Sequence, residues 1–381
     1  MNYSMNNGKI LAFIQSTNFI YGAGRSFCNT MNNLDCHFDL VVPKTIIGSK
    51  SVESQKAEIR KFFNENLDNI FIQYLPYELC FYGRQSVRPR GRIYIALKNF
   101  LFYLNRRKIN ALSKSGYCCI YINSLVLYPL LAITNNTIIH VREKFDGNRL
   151  QKIRVKKQLK DANRIIFISN DSRDSLKSLG IEGIVLNNPF DMRSVNDIDV
   201  KSVKELLEIE SQTVFSILGK TYKVRGVDFV ADVFHKLDRN DFKLLIVGDL
   251  ETELGKGLEK LAQIDDRILL LGEMENVNGI YAISDFIIRG EECFGVGRTV
   301  YEGLYSGCNV IIQGERQIDL FKISGYDKFK KKIFFYEPRN PESLRKTVIS
   351  VLNNKEKHKI NGISNIDEYI SIFNQILISL R

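Results

Sequence analysis

Glu292-Cys-Phe-Gly-Val-Gly-Arg-Thr-Val-Tyr-Glu-Gly-Leu-Tyr-Ser-Gly-Cys-Asn-Val-Ile311 sets a glycine-rich turn, a helical pattern and an apolar strand in succession between and beyond two carboxylates. Gly295 and Gly297 let the backbone come close to a ligand. Val296, Val300 and Leu304 then recur at helical spacing, so the turn opens directly into a helix carrying Arg298 and Thr299 in its first turn. The unpaired amides and positive dipole end of such a helix suit a diphosphate, and Glu302, farther along, is placed to reach a ribose diol. Ser306-Gly307 closes the helix before the strand at 309–312. An ordinary loop, helix and strand of an α/β domain that binds nothing has the same pattern.

Upstream, Phe215-Ser-Ile-Leu-Gly-Lys-Thr-Tyr-Lys-Val-Arg-Gly-Val-Asp228 reads as a buried strand, a turn at Gly219 and a helix start, with Lys220, Lys223 and Arg225 in the turn. Cations at the carboxyl end of a parallel strand stand where open α/β sheets take ligands. A fixed positive pair there can hold a departing diphosphate, although solvated loop charges are the commoner fate of such lysines.

The first half alternates apolar runs with helical patterns, as a doubly wound α/β domain does. Strands are expected near 10–14, 38–42, 70–73, 118–122, 137–140, 164–168 and 183–186. Gly22, Ala23, Gly24, Arg25 and Ser26 form a short glycine loop opening a helix, an incomplete dinucleotide fingerprint that tight-turn duty alone can explain. His140-Val-Arg142-Glu143 follows an apolar strand and so falls at a strand's carboxyl end. A histidine there is more often a structural hydrogen-bonder than a catalyst. His37, His235 and His358 fall in turns or on helix faces.

The two basic and glycine-rich segments, with Phe242-Lys-Leu-Leu-Ile-Val-Gly-Asp249, Leu269-Leu-Leu-Gly-Glu273 and Ile280-Tyr-Ala-Ile-Ser-Asp285 between them, resemble the nucleotide-sugar half of glycosyltransferase family 4, retaining enzymes of GT-B fold. The resemblance extends over nearly the whole chain and is specific from about Asn188 onward. It implies two doubly wound, Rossmann-like domains facing a cleft, with donor contacts at Gly219, Gly295, Val296, Gly297, Arg298, Thr299 and Glu302. It also implies catalytic roles for His140, Lys220, Arg225 and Glu292. The loop Gly22–Ser26 and the pair Arg142 and Glu143 would lie on the acceptor and phosphate side, with Arg142 and Glu143 orienting His140 or meeting the acceptor. One departure stands out. The family has seven residues between its paired glutamates, and that register from Glu302 lands on Phe294; either two residues are inserted in the loop, or Glu292 is displaced and the backbone of the Gly295 to Gly297 loop does more of the binding, with the neighbouring Glu291 as a substitute.

Composition agrees with a folded two-domain protein. The chain has 381 residues, 44% hydrophobic and 25% charged, too long for one core and ordinary for two. Cys28, Cys36, Cys80, Cys118, Cys119, Cys293 and Cys308 form no Cys-x-x-Cys pair, and an odd count gives no disulfide framework; a reducing cytoplasm is the simpler setting. Residues 1–8 are polar and 10–14 are only strand length, unlike a signal peptide. The apolar region from Tyr117 to Leu131 is broken by Asn123, Ser124 and Pro129, which predicts a buried strand and a short helix, not a membrane span.

The net charge of +11 is unevenly placed: no Asp or Glu occurs between Glu78 and Glu143, while Arg84, Arg88, Arg90, Arg92, Lys98, Arg106, Arg107 and Lys108 all do. Interleaved aromatic residues (Phe81, Tyr82, Tyr94, Phe100, Phe102, Tyr103) suit an anionic membrane surface through the segment from Arg84 to Lys108. Nucleic acid attracts the same charges, but no nucleic-acid module accompanies them, and none is expected as a partner. A solvated helix face is the remaining reading.

Asp197-Ile-Asp199 has the spacing of a divalent-ion motif, yet it lies in a polar segment and two carboxylates fall short of a ligand set. No metal and no other cofactor is therefore expected. No Gly-x-Ser-x-Gly elbow is present either. Domain boundaries are expected at 1–190 for the acceptor-side domain, 191–362 for the nucleotide-sugar domain and 363–381 for a last helix packing back on the first. The expectation is a retaining glycosyltransferase moving a sugar from a UDP- or GDP-linked donor to a lipid-linked saccharide. It would work at the inner face of the plasma membrane in O-antigen, lipopolysaccharide or capsule synthesis. An epimerase-like enzyme of the same fold, or a silent nucleotide-sugar-binding subunit, are the rivals.

Overall fold

Short runs of β-branched and aromatic residues, bounded by turn residues, make the strands, and in the computed structural model they build two wholly parallel sheets. The residues described are 8–20, 22–44, 51–78, 89–191, 193–219, 223–274, 276–292, 294–354, 362 and 365–380, with the side chains of 89–91 and 193–194 left aside. The chain divides into two units, one of Met1–Pro189 with Ile366–Arg381 and one of Phe190–Asn365.

The first unit holds β1 (Ile10–Phe13), β2 (Phe38–Pro43), β3 (Leu67–Gln73), β4 (Cys119–Ile122), β5 (Thr137–Val141), β6 (Arg164–Phe167) and β7 (Ile184–Val185). Their order is β3-β2-β1-β4-β5-β6-β7. Both faces of the sheet are covered, so its central pair, β1 and β4, is apolar at every position. Ile10 and Ala12 of β1 pack with Phe27 and Met31 of the helix Gly22–Asn32. Leu11 and Phe13, pointing the other way, pack with the 3-10 helix Leu125–Ile133. That helix follows β4, so the region from Tyr117 to Leu131 is a buried strand and a short helix. The last helix, Ile366–Ile378, returns after the second unit and adds Tyr369, Phe373, Ile376 and Leu377 to the first unit's core.

In the second unit β8 (Thr213–Leu218), β9 (Phe242–Val247), β10 (Ile268–Gly272), β11 (Phe286–Ile288), β12 (Asn309–Gln313) and β13 (Ile333–Tyr336) lie in the order β10-β9-β8-β11-β12-β13. Phe215, Phe234, Phe242 and Phe286 form its aromatic centre, with the rings of Phe215 and Phe286 stacked at 5.0 Å. In each sheet the chain winds outward in both directions from one adjacent pair, β1 and β4 in the first and β8 and β11 in the second. Connections from such a pair leave to opposite faces and open a crevice at the carboxyl ends of the strands. Among the described residues no helix is long and apolar enough to cross a membrane.

Candidate active site

At the carboxyl ends of β8 and β11 two loops meet backbone to backbone. Gly226 has a left-handed φ of 63°, and a Cβ on it would run into the Gly290 carbonyl, as one on Gly290 would run into Gly226. Only glycine fits this approach. Ile217–Gly219, Arg225 and Val227 from one loop, and Ile288–Glu291 from the other, line a pocket there. Two helices start beside it, Val227–His235 after Gly226 and Arg298–Tyr305 after Gly297, and neither has a side-chain cap. The helices that follow Ser51, Asn148, Ser169, Asp199, Thr252 and Asn340 are capped by those side chains, whereas the short ones after Val277, Glu315 and Gly325 are, like these two, uncapped. The difference leaves the first amides at the pocket to other acceptors.

Charge at this point is organised by Arg289, which follows β11 directly and is 8% exposed. Its Nε donates to Glu291 Oε2 at 2.9 Å, its Nη2 donates to Glu291 Oε1, and its Nη1 donates to Thr299 Oγ1 at 2.6 Å. Arg225 Nη1 adds a bond to Glu291 Oε1 at 2.9 Å. Gly297 rests on the same guanidinium, since a Cβ there would stand 2.6 Å from Arg289 Nη1. Burial pushes the Glu291 carboxyl up, but Arg289 and Arg225 outweigh it and hold it below its ordinary value. Two guanidinium groups against one carboxylate leave a net positive charge beside the uncapped helix starts, an arrangement that suits an anion. Glu292 is more open, its side chain 66% exposed and met by Arg339 Nη2 at 3.3 Å. Arg339 has φ 53°, an uncommon conformation for a residue with a side chain, and it also donates to the Lys223 carbonyl at 3.3 Å.

Of the other residues expected here, Gly219 lines the pocket, and Gly295, Val296 and Gly297 form the loop before the helix. Glu302 is buried: Arg298 Nε donates to one oxygen at 2.5 Å and the Tyr281 hydroxyl to the other at 2.8 Å. Lys220 lies outside the described residues. Asp199 caps the helix Val200–Leu206 through the amides of Lys201 and Ser202, which accounts for it without an ion.

The first unit gathers a second polar cluster at the ends of β1, β4 and β5. His140 is fully buried, with its Nδ1 2.8 Å from the Tyr121 hydroxyl and 3.2 Å from Arg142 Nη2. A guanidinium only donates, so Nδ1 accepts and the proton sits on Nε2. That Nε2 has no hydrogen-bond partner among the described residues. Burial and the neighbouring Arg142 charge push the imidazole well below its ordinary pKa, so it is neutral. Arg142 also donates to Asn123 Oδ1 and Asn188 Oδ1, both at 2.7 Å. Asn123 in turn donates to the Ala23 carbonyl at 3.3 Å, which joins the glycine loop to the cluster. Gly22 through Ser26 form the first turn of the helix Gly22–Asn32, and the Ser26 hydroxyl bonds back to the Gly22 carbonyl at 3.3 Å. Glu143 is engaged elsewhere, accepting from Ser124 Oγ at 2.5 Å and from the Leu125 amide at 3.0 Å.

Residues 212–354, most of the second unit, match the family model described as "Glycosyl transferases group 1". The second unit is a group 1 glycosyltransferase domain. No curated protein matches the chain, and its solved likenesses are distant. A glycosyltransferase from Rickettsia africae superposes with TM-score 0.71 at 16% identity, covering 98% of this chain and 99% of that one. HepE of Anabaena, solved in complex with UDP and glucose, gives 0.66 at 14%, covering 98% and 97%. The lipopolysaccharide outer core galactosyltransferase WaaB gives 0.58 at 12%, covering 97% and 99%. At these identities the likeness speaks for the two-domain α/β fold, the GT-B architecture expected above.

Two arginines of this glycosyltransferase escaped the reading of its sequence. Arg289 was readable in principle, because it follows an apolar strand just as Arg142 does. Arg339 was not, since 47 residues separate it from Glu292.

Proposed function

We propose that this glycosyltransferase belongs to family 4 and moves a sugar, with retention, from a UDP- or GDP-linked donor to a lipid-linked saccharide. Bacterial surface polysaccharide, O-antigen, lipopolysaccharide or capsule, is the product class. The observation that carries the proposal is the switch point of the second sheet, where Arg225, Arg289 and two uncapped helix starts surround one pocket. HepE, solved with UDP and glucose, and WaaB, a lipopolysaccharide outer core galactosyltransferase, support the same reading.

The chemistry follows from charge. As the glycosidic bond breaks, negative charge grows on the diphosphate, and donors already fixed in place stabilise it without reorganising. Arg225, half exposed and held by Glu291, faces that task together with Lys220 and the amides after Gly226 and Gly297. These cations supply the charge that a metal ion otherwise brings, so no metal is required. Glu302 offers its carboxylate to the ribose, and Glu291 or Glu292 stands nearest the sugar. His140, neutral with its proton on Nε2, is a hydrogen-bond donor and not a general acid.

Thermal unfolding of the full chain with UDP, GDP, ADP or CMP, with and without EDTA, tests the donor site. Ligand at about one hundred times its dissociation constant adds about 2.7 kcal/mol. A shift with one nucleoside diphosphate, unchanged by EDTA, is expected. No shift with any of them would overturn the donor site, and tight binding without transfer to any acceptor would turn the reading to a silent binding subunit.

A further inference from the structure

Three non-glycine residues among those described have a left-handed backbone. Asn136 is of a type that tolerates it, and Glu208 stands just past a helix end, where it is common. Arg339, at φ 53°, has neither reason: it lies in the turn between β13 and the helix Pro341–Asn353. Its side chain, 29% exposed, places the guanidinium carbon 5.5 Å from the centre of the Phe229 ring. One nitrogen, Nη2, donates to the Glu292 carboxylate and to the Lys223 carbonyl, each at 3.3 Å. The buried Nε finds no acceptor among the described residues. A strained backbone and an unmade hydrogen bond thus meet at one residue. Neither serves stability.

What they secure is the place of Glu292. Tyr336, three residues before Arg339, stacks on Phe229 at 6.4 Å and donates to the Arg289 carbonyl at 2.6 Å. The end of β13 therefore holds both the backbone that leads to Glu292 and, through Arg339, the carboxylate itself. Only Oε1 of that carboxylate is engaged; Oε2 has no hydrogen bond among the described residues. Glu291 differs, since both its oxygens are taken by Arg289 and Arg225. We propose that Arg339 is a positioning residue: its guanidinium fixes the exposed Glu292 carboxylate so that Oε2 accepts from a hydroxyl of the donor's sugar, and it thereby sets which sugars are taken. The donor-site reading underlies this assignment, and the labour then divides. Arg225 and the helix amides meet the diphosphate, whereas the pair of Arg339 and Glu292 meets the sugar alone.

Calorimetric titration of the full chain with UDP, UDP-glucose, UDP-galactose, UDP-N-acetylglucosamine, GDP and GDP-mannose gives the ratio of nucleotide-sugar to nucleotide affinity. In Arg339→Gly that ratio should fall about tenfold, the size of a lost hydrogen bond to a charged group, while affinity for the free nucleotide stays within about twofold. Glu292→Ala should do the same, and the double variant should lose no more than either alone, because the two residues act as a unit. Glycine adopts φ 53° without strain, so the urea midpoint of Arg339→Gly should hold or rise. An unchanged ratio in Arg339→Gly, or losses that add in the double variant, would overturn the assignment and leave the donor site standing. A lowered midpoint with an unchanged ratio would make Arg339 a structural clasp instead. A wild-type chain that binds a nucleotide but none of its sugars would overturn this role alone, and one that binds nothing in the panel would overturn the donor site with it.

Discussion

The two switch points of this molecule handle buried polarity in opposite ways. At β8 and β11 the groups are charged and partly open, Arg289 and Arg225 sharing Glu291 with their cationic surplus beside two uncapped helices. At β1, β4 and β5 the groups are sealed, with a neutral imidazole, a phenol and two amides arranged around the one guanidinium of Arg142. A half-open charged cluster can trade an internal partner for a ligand at little cost to the fold. A sealed one cannot, because each group that loses its partner stays dry and unpaired. The first arrangement should therefore be felt in turnover and the second in stability at every group except His140 Nε2, which has no partner among the described residues to lose.

Arg225→Ala tests the first half of that contrast most severely. Turnover should fall about a hundredfold to a thousandfold, the range for removing one donor aimed at developing charge, while the urea midpoint moves little. Near-normal turnover would remove Arg225 from the reaction. Arg142→Ala should act the other way and lower stability by about 3 kcal/mol, since it strands Asn123, Asn188 and Tyr121 in the interior. Denaturant unfolding measures this, and a loss below about 1 kcal/mol would show that the cluster is not sealed.

Acid sharpens the comparison further. His140 is held neutral well below the pKa of an unfolded histidine, so the unfolded chain takes up a proton that the folded one refuses. Stability should be fully present above about pH 6.5 and fall by about 1.4 kcal/mol per pH unit below it. Unfolding of wild type and His140→Gln at several pH values isolates this slope, and parallel curves would refute it. The smallest expected effect is at Asp199→Ala, about 1 kcal/mol for a lost helix cap. Turnover should not change, whereas a metal site there would abolish it.

Much of this was legible in the residues. Each apolar run of the first half became a strand of its sheet, because strands buried on both faces are predominantly apolar, and the broken run after Tyr117 became a strand and a short helix. The glycine loop at 295–297 opened into a helix because Val300 and Leu304 share its buried face. What stayed hidden depends on contacts between distant residues. Nothing near Gly297 in sequence says that an arginine eight residues earlier would lie beneath it. The choice between Glu291 and Glu292 was left open by spacing, and the fold sets them apart, Glu291 partly buried between two arginines and Glu292 exposed. The basic segment announced its charge, but the exposed row of Ile93, Leu97, Phe100 and Leu104 needed the single unbroken helix Pro89–Ser113 before it could be seen.

The last helix carries a consequence for how the molecule is made. Tyr369 hydrogen-bonds Thr30 at 3.1 Å and Phe373 meets the Tyr121 ring at 5.4 Å, so the first unit's interior is closed by residues that leave the ribosome after all of the second unit. Its amino-terminal sheet must wait through that synthesis with one side of its core unfilled, whereas the second unit has its own complete set of strands. Amino-terminal domains ordinarily fold first during synthesis, but here the first unit's core lacks Tyr369, Phe373, Ile376 and Leu377 until the last helix emerges.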